Sequence, residues 1–230
     1  MNRKKESNLL TIILYLAGML LIVSGSIAVP ILIRPLYAIQ IDPLHLTEVK
    51  VALAEGTRTL TRAEIMEAYN DMMNYCIGLS STFRTGILAF SEEGRMHFED
   101  VRKLFMLDLW VLGISGTIVL GWQFLRRVVN VRLKRWGGHR TGFWCGVTLL
   151  ILFAVIGIFG AIDFSRFFTI FHHMFFPGKS NWIFDPRYDQ IINILPEEVF
   201  MHFAVVIAGL ILLICIILIL RDVIRQKKNP

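Results

Sequence analysis

Charge is scarce in this chain of 230 residues: 18% are Asp, Glu, Lys or Arg, against about 25% in an ordinary soluble domain. Apolar residues take the place of the missing charge, at 55% of the sequence, with a mean hydropathy of +0.58. A water-soluble protein of this length has no interior large enough for so much Leu, Ile and Phe. Intrinsic disorder, a collagen-like chain and a disulfide-stapled secreted scaffold are excluded by the same composition. Cysteine is nearly absent: Cys76, Cys145 and Cys215 are too few and too widely spaced for a disulfide framework or a zinc signature. Also missing are a phosphate-binding Walker loop, a dinucleotide fingerprint, a Gly-x-Ser-x-Gly elbow and a His-Glu-x-x-His helix.

What is present is long hydrophobic runs. Stretches at 9–33, 104–125, 143–162 and 203–220 each approach the roughly 20 residues that span the hydrocarbon core as a helix. The first follows Arg3-Lys4-Lys5, as a signal peptide would. Its hydrophobicity continues past any plausible cut and no small-x-small site precedes Arg34, so it reads as an uncleaved anchor. The loop at 126–142 carries Arg126, Arg127, Arg132, Lys134, Arg135 and Arg140 with no acid, and the tail adds Arg221, Arg225, Lys227 and Lys228. By the positive-inside rule that loop and both termini are cytoplasmic. The segments 34–103 and 163–202 then lie outside, with 15 acids and 11 bases. The net charge of +6 therefore belongs at the inner leaflet, where anionic lipid accounts for it, and no nucleic-acid partner is needed. The expected fold is an all-α integral membrane protein, a single membrane domain over 1–230. It has four transmembrane helices in two hairpins and a small, mostly helical extracellular cap. Within the cap, Thr61-Arg62-Ala63-Glu64 has the spacing of a capping box ahead of a helix.

Two polar clusters fall where the outer segments meet the spans. In the first, His97, Asp100, Val101, Leu104 and Asp108 share one face of a continuous helix. A carboxylate near an imidazole can fix its tautomer and raise its basicity. The competing reading makes Asp100, Arg102 and Lys103 a simple water boundary, with Asp108 paired to a neighbouring helix. In the second cluster, Phe164, Phe167, Phe168, Phe171 and Phe175 form a stripe, with Arg166 and His173 opposite and His172 between the two faces. Such a helix can lie in the membrane interface; equally, it can pack on the bundle with both histidines solvated. His202 stands four residues after Glu198, a spacing that suits a structural helix pair. Metal ligation by His97, His172 and His173 is disfavoured, because adjacent helical residues point about 100° apart.

Taken in order, His97-x-x-Asp100-Val101-x-x-Leu104-Phe105, Phe171-His172-x-x-Phe175-Phe176, Trp182-x-Phe184 and Leu195-Pro196-Glu197 resemble the lipoprotein intramolecular transacylase (Lit) family of Gram-positive bacteria. The resemblance implies an acyltransferase of the cell membrane whose substrate is the N-terminus of a diacylglyceryl-modified lipoprotein. It implies transfer of the sn-2 acyl chain to the amine of the N-terminal cysteine, giving a lyso-form lipoprotein, at the outer leaflet and with no cofactor and no metal. His97, oriented by Asp100, is then the base for the amine, and His172 its partner as leaving-group acid or oxyanion stabiliser. The opposite assignment and an acyl-imidazole relay are compatible with the same residues. Arg102 and Arg166 are candidates for carbonyl contacts, and Phe168, Phe171, Phe175 and Trp182 for acyl-chain contacts. The rival functions are a metal-dependent membrane hydrolase using the same histidines and a non-enzymatic membrane assembly factor.

Overall fold

The computed structural model describes residues 5–53 and 55–228; Arg3 and Lys4 of the basic N-terminal flank lie outside the described residues. The chain is mostly helical. Strand β1 (Lys5–Ser7) leads into α1 (Asn8–Leu32), which contains Pro30 and ends two residues after it, and then α2 (Pro35–Ala38). Strands β2 (Lys50–Leu53) and β3 (Gly56–Thr59) precede α3 (Arg62–Cys76) and α4 (Glu92–Leu125). After β4 (Val131–Leu133) come α5 (Thr141–Ile162), α6 (Phe164–Phe175), a 3-10 turn at Gln190–Asn193 and α7 (Glu197–Lys228).

Helices α1, α4, α5 and α7 are each long and apolar enough to cross a membrane. Along α4, Leu107, Trp110, Leu120 and Phe124 are 58–74% exposed. Apolar surface on this scale is stable only against lipid or another protein. The apolar run at 104–125 is the later part of α4, which already begins at Glu92, so the helix is continuous through His97 and Asp100. Likewise 203–220 sits inside the longer α7.

Two short strand pairs depart from the all-α expectation. β2 and β3 pair antiparallel, from Lys50 opposite Thr59 to Leu53 opposite Gly56, where Gly56 takes a φ of +126° that only glycine adopts without strain. β1 pairs in parallel with β4, Lys5 opposite Val131 through Ser7 opposite Leu133. Strands of three or four residues are too short for alternation to stand out from the sequence around them.

The chain divides into two compact units. One draws on the chain up to Ala28, on Asp108–Phe159 and on the chain from Val206. Leu149, Ile211 and Cys215 form its buried core, with Met19, Ile22 and Val23 packed around them. A Cβ at Gly146 would stand 2.9 Å from the Cys215 carbonyl oxygen, so this glycine allows α5 and α7 the close backbone approach that small residues give membrane helices. Tyr15 and Thr148 share a hydroxyl hydrogen bond of 2.8 Å. Around the β1–β4 pair, Arg132 meets Glu6 at 2.7 Å and the Trp136 indole donates to Asn8 at 3.2 Å. His139 Nδ1 lies 2.9 Å from the buried Asp222 carboxylate, its ring stacked on Phe143 at 3.8 Å. His139→Ala removes both contacts and leaves Asp222 short of a partner. It is expected to cost about 1–2 kcal/mol, read as a lower unfolding midpoint in detergent; an unchanged midpoint would show that the pair carries no stability.

The other unit comprises Val29–Leu107 and Gly160–Val205. Thr61 and Glu64 form the capping box that their spacing predicts at the start of α3. Tyr37 and Tyr69 stack at 3.8 Å, both fully buried, and the Tyr37 hydroxyl donates to the Ile194 carbonyl at 2.7 Å. Gly86, at φ +58°, sets its backbone against Ala68 of α3. These contacts join α2, α3 and the 3-10 turn.

Candidate active site

The position of His97 is set by a polar clamp at the start of α4. Ser91 Oγ accepts from the backbone N–H of Gly94 at 2.9 Å, capping the helix. Asp189, 6% exposed, accepts in turn from the Ser91 N–H at 2.8 Å and from its hydroxyl at 2.9 Å. The next residue, Gln190, donates from its N–H to the Ala89 carbonyl at 3.0 Å. Its side chain accepts from the Ala89 N–H at 2.9 Å and donates to the Ala52 carbonyl. Loop 89–91, β2 and the 3-10 turn are thereby joined, with His97 on the second turn of the helix they hold.

His97 is 5% exposed and enclosed by rings: Phe176 at 4.9 Å, Phe184 at 5.4 Å and Phe98 at 5.6 Å between centroids. The imidazole of His172, on α6, faces it at 5.9 Å with the planes 29° apart. His172 is 8% exposed, packed on Phe168 at 4.2 Å and Trp182 at 4.8 Å. Its Nδ1 lies 2.8 Å from the Phe168 carbonyl oxygen. A carbonyl only accepts, so Nδ1 carries the proton and Nε2 keeps its lone pair. Burial pushes the His172 pKa below the ordinary histidine value, the hydrogen bond to Phe168 opposes this, and neighbouring His173 adds to it. The ring is therefore neutral at pH 7.

Asp100 does not orient His97 by a hydrogen bond. Its carboxylate is taken by Lys179 at 2.5 Å and Lys103 at 3.3 Å, while His97 Nδ1 is buried with no hydrogen-bond partner among the described residues. Two ammonium groups attract the carboxylate more strongly than a neutral imidazole does. Lys179 was not singled out from the sequence. It joins α4 to the segment after α6, and its carbonyl accepts from the Trp182 indole at 3.0 Å. Asp100 thus reaches His172 by way of Lys179 and Trp182.

The other sequence candidates are scattered. Arg102 donates to the Ser80 carbonyl at 2.6 Å and lies over the Tyr75 ring at 4.7 Å. The Arg166 side chain is exposed, and its N–H donates to Asp163, the N-cap of α6, at 2.9 Å. The phenylalanine stripe divides: Phe164 and Phe168 turn inward in the same row as His172, whereas Phe171 and Phe175 are 38% and 43% exposed. His173 is exposed beside Trp182. His202 bonds Gln40 at 2.9 Å rather than Glu198. Asp108, further along α4, has one buried carboxylate oxygen with no partner among the described residues. No three His, Cys, Asp or Glu among the described residues are gathered as metal ligands.

The sequence matches the family profile "Lipoprotein intramolecular transacylase Lit" over residues 12–200. The chain belongs to this family. Its fold is similar to the in meso structure of the membrane-integral lipoprotein intramolecular transacylase Lit from Bacillus cereus. The TM-score is 0.79 at 24% identity, over 96% of this chain and 97% of that one. Two further structures of the same Bacillus cereus protein, with a histidine replaced by arginine or by alanine, are similar at TM-scores of 0.72 and 0.71. No curated protein matches the sequence. Family membership and four apolar helices make this a multi-pass membrane protein of a transacylase family.

Proposed function

We propose that this Lit-family protein moves the sn-2 acyl chain of a diacylglyceryl-cysteine lipoprotein to that lipoprotein's own N-terminal amine, with His97 and His172 handling the proton. The amine nitrogen bonds to the ester carbonyl carbon, the ester C–O bond breaks, and the sn-2 oxygen leaves with a proton. The net change is one proton carried from nitrogen to oxygen, so nothing beyond the lipoprotein is consumed. Donor and acceptor belong to one molecule, and their high effective concentration leaves the protein chiefly the tasks of folding the head group and moving the proton.

The observation that carries this reading is the facing imidazole pair, with Nδ1–H of His172 tied to the Phe168 carbonyl. A neutral ring with a fixed tautomer is built to accept a proton at Nε2, so His172 takes the part of base. Burial pushes the His97 pKa down to about 4, so this ring is neutral too, and its part is to help pass the proton that His172 takes from the amine on to the leaving alkoxide. This reverses the order first assigned with the family resemblance: Asp100 is bound to lysines, and its charge raises the His97 pKa by less than burial lowers it. Asp100 acts as a positioning residue through Lys179 and Trp182. The exposed Phe171 and Phe175 offer acyl chains a lateral contact, while Arg102, held by Ser80 and Tyr75, is assigned to supporting the cap.

The topology belongs to the same proposal: two hairpins with spans near 9–33, 104–125, 143–162 and 203–220, the histidine pair at the outer leaflet and both termini cytoplasmic. Three contacts support it. β1 pairs with β4, Trp136 bonds Asn8, and His139 meets Asp222. Contacts among Lys5–Asn8, the basic loop and Asp222 of α7 support placing these segments on one side.

The test is fragmentation mass spectrometry of a reporter lipopeptide from a host without N-acylation, with this protein and with its His97→Ala variant. Fragmentation is required because the product has the same mass as the substrate. An N-acyl, monoacylglyceryl pattern made by the parent and lost in the variant supports the reading. A diacylglyceryl pattern from correctly inserted parent protein overturns it. His139→Ala is expected to leave the pattern as in the parent.

The pH profile provides a second prediction. The substrate amine must be neutral, and α-amino groups titrate near pH 8, so the rate rises about tenfold per pH unit up to that point and then levels. Because burial lowers the His172 pKa, protonation of this base steepens the profile only below about pH 6.5, the ordinary histidine value. Stopped reactions in a detergent-solubilised assay would read this, and steepening at or above pH 6.5 would contradict the assignment.

A further inference from the structure

The unit built from the starts and ends of the four long helices contains a cavity of about 900 Å³ that the transacylation chemistry does not use. Its walls are apolar: Leu21 and Ile22 of α1, Val119 of α4, and Ile214 and Leu218 of α7. Its mouth is basic, with Arg126, Arg132, Lys134, Arg135 and Arg140 against one acid, Glu6. Glu6 is spent on Arg132 at 2.7 Å, and Arg140 stands 4.0 Å from Asp222. Lys134 and Arg135 are exposed and form no ion pair among the described residues.

We propose that this cavity binds an anionic glycerophospholipid, with its phosphate at Lys134 and Arg135 and its acyl chains along the apolar walls between α1, α4 and α7. The argument is one of charge and shape together. Basic residues above a membrane helix attract any anionic surface, but a cleft descending from them between helices has room for one molecule with an anionic head and an apolar tail. A nucleic acid or a soluble anion would leave the apolar walls wet, which is unfavourable in proportion to their area. A neutral lipid would leave the Lys134 ammonium and the Arg135 guanidinium without a counter-ion. The volume is within the range of small-molecule sites and suits a head group with the first part of its chains. A diacylglyceryl lipoprotein has no phosphate, so this site is distinct from the histidine pair, and the inference stands whether or not that pair transfers acyl groups.

The test uses the full-length protein in an uncharged detergent and native mass spectrometry with phosphatidylglycerol and phosphatidylcholine of matched chains. Phosphatidylglycerol is expected to be retained about tenfold or more over phosphatidylcholine. The Lys134→Gln/Arg135→Gln double variant, which alters only exposed side chains, brings the two lipids to near parity. Leu218→Trp, which fills the apolar wall and keeps every charge, weakens retention of phosphatidylglycerol. A parallel thermal-unfolding series in millimolar inorganic phosphate is expected to leave the midpoint unmoved while phosphatidylglycerol raises it. Equal retention of both lipids by the parent overturns the proposal. So does an undiminished preference in the double variant, and so does stabilisation by phosphate equal to that by the lipid, which would make this a site for free oxyanions.

Discussion

Replacing His172 with alanine is expected to slow acyl transfer by about 10²–10⁴-fold, the usual range for a positioned acid–base group. The loss should fall on the chemical step, because the ring is buried and the role proposed for it is to accept the amine proton at Nε2. A structural contribution is also real, since the imidazole packs on Phe168 and Trp182. The two effects separate under chemical rescue. His172→Ala leaves a ring-sized space between those aromatics, and added imidazole should restore part of the rate as its neutral form is titrated in. Loss of activity with a normal unfolding midpoint and partial rescue would mark a proton-transfer role. Full activity in the variant would remove His172 from the chemistry, and loss of activity together with unfolding and no rescue would reduce it to a packing residue.

The second large effect concerns stability and lies at the clamp holding α4. Asp189→Ala deprives the Ser91 N–H and hydroxyl of their acceptor in a buried setting. Hydrogen bonds to a charged acceptor contribute about 1.5–3 kcal/mol each, so a loss of roughly 2–4 kcal/mol is expected once the remaining cap has adjusted. Gly94→Ala should be costly for the complementary reason: a Cβ there would collide with the Asp189 carboxylate, and overpacking of this kind costs about 1–3 kcal/mol. The two changes must then couple. In the Asp189→Ala background the obstacle is gone, and Gly94→Ala should be neutral or stabilising by about 0.5–1 kcal/mol, as for other helical glycines. Unfolding midpoints of the four members of this cycle test the idea; purely additive effects would show that Gly94 and Asp189 do not meet in the folded protein.

Local pattern and long-range pairing were not equally legible in the sequence. The four apolar helices could be read from run length, and the Thr61–Glu64 cap from a spacing of three, because both are properties of contiguous residues. The shared face of His97 and Asp100 was also readable, since α4 is continuous there. What the face could not reveal was the carboxylate's partner: Lys179 is 79 positions away, and its attraction outweighs that of a neutral ring nearby. Asp189 and Ser91 lie 98 positions apart, and β1 and β4 meet over three residues each. No periodicity encodes such meetings. The stripe on α6 divides for a different reason. Five phenylalanines suggested one apolar face, but burial follows the row through Phe164, Phe168 and His172, which puts an imidazole inside and two phenylalanines outside. The likeness to the family motifs, rather than helical geometry, brought His97 and His172 into one hypothesis.

The aromatic enclosure of the two imidazoles bears on product fidelity. An activated ester has two available nucleophiles, the lipoprotein amine and bulk water, and attack by water would release free fatty acid and strand a lyso-lipid on the lipoprotein. Phe98, Phe176, Phe184, Phe168 and Trp182 give water almost no hydrogen-bonding foothold beside the rings proposed to move the proton. The tethered amine needs no such foothold, since it arrives with its ester. Under the proposed transacylation, a wall of this chemistry selects between competing acceptors by solvation alone, and any opening of it should appear as hydrolysis before it appears as a loss of turnover.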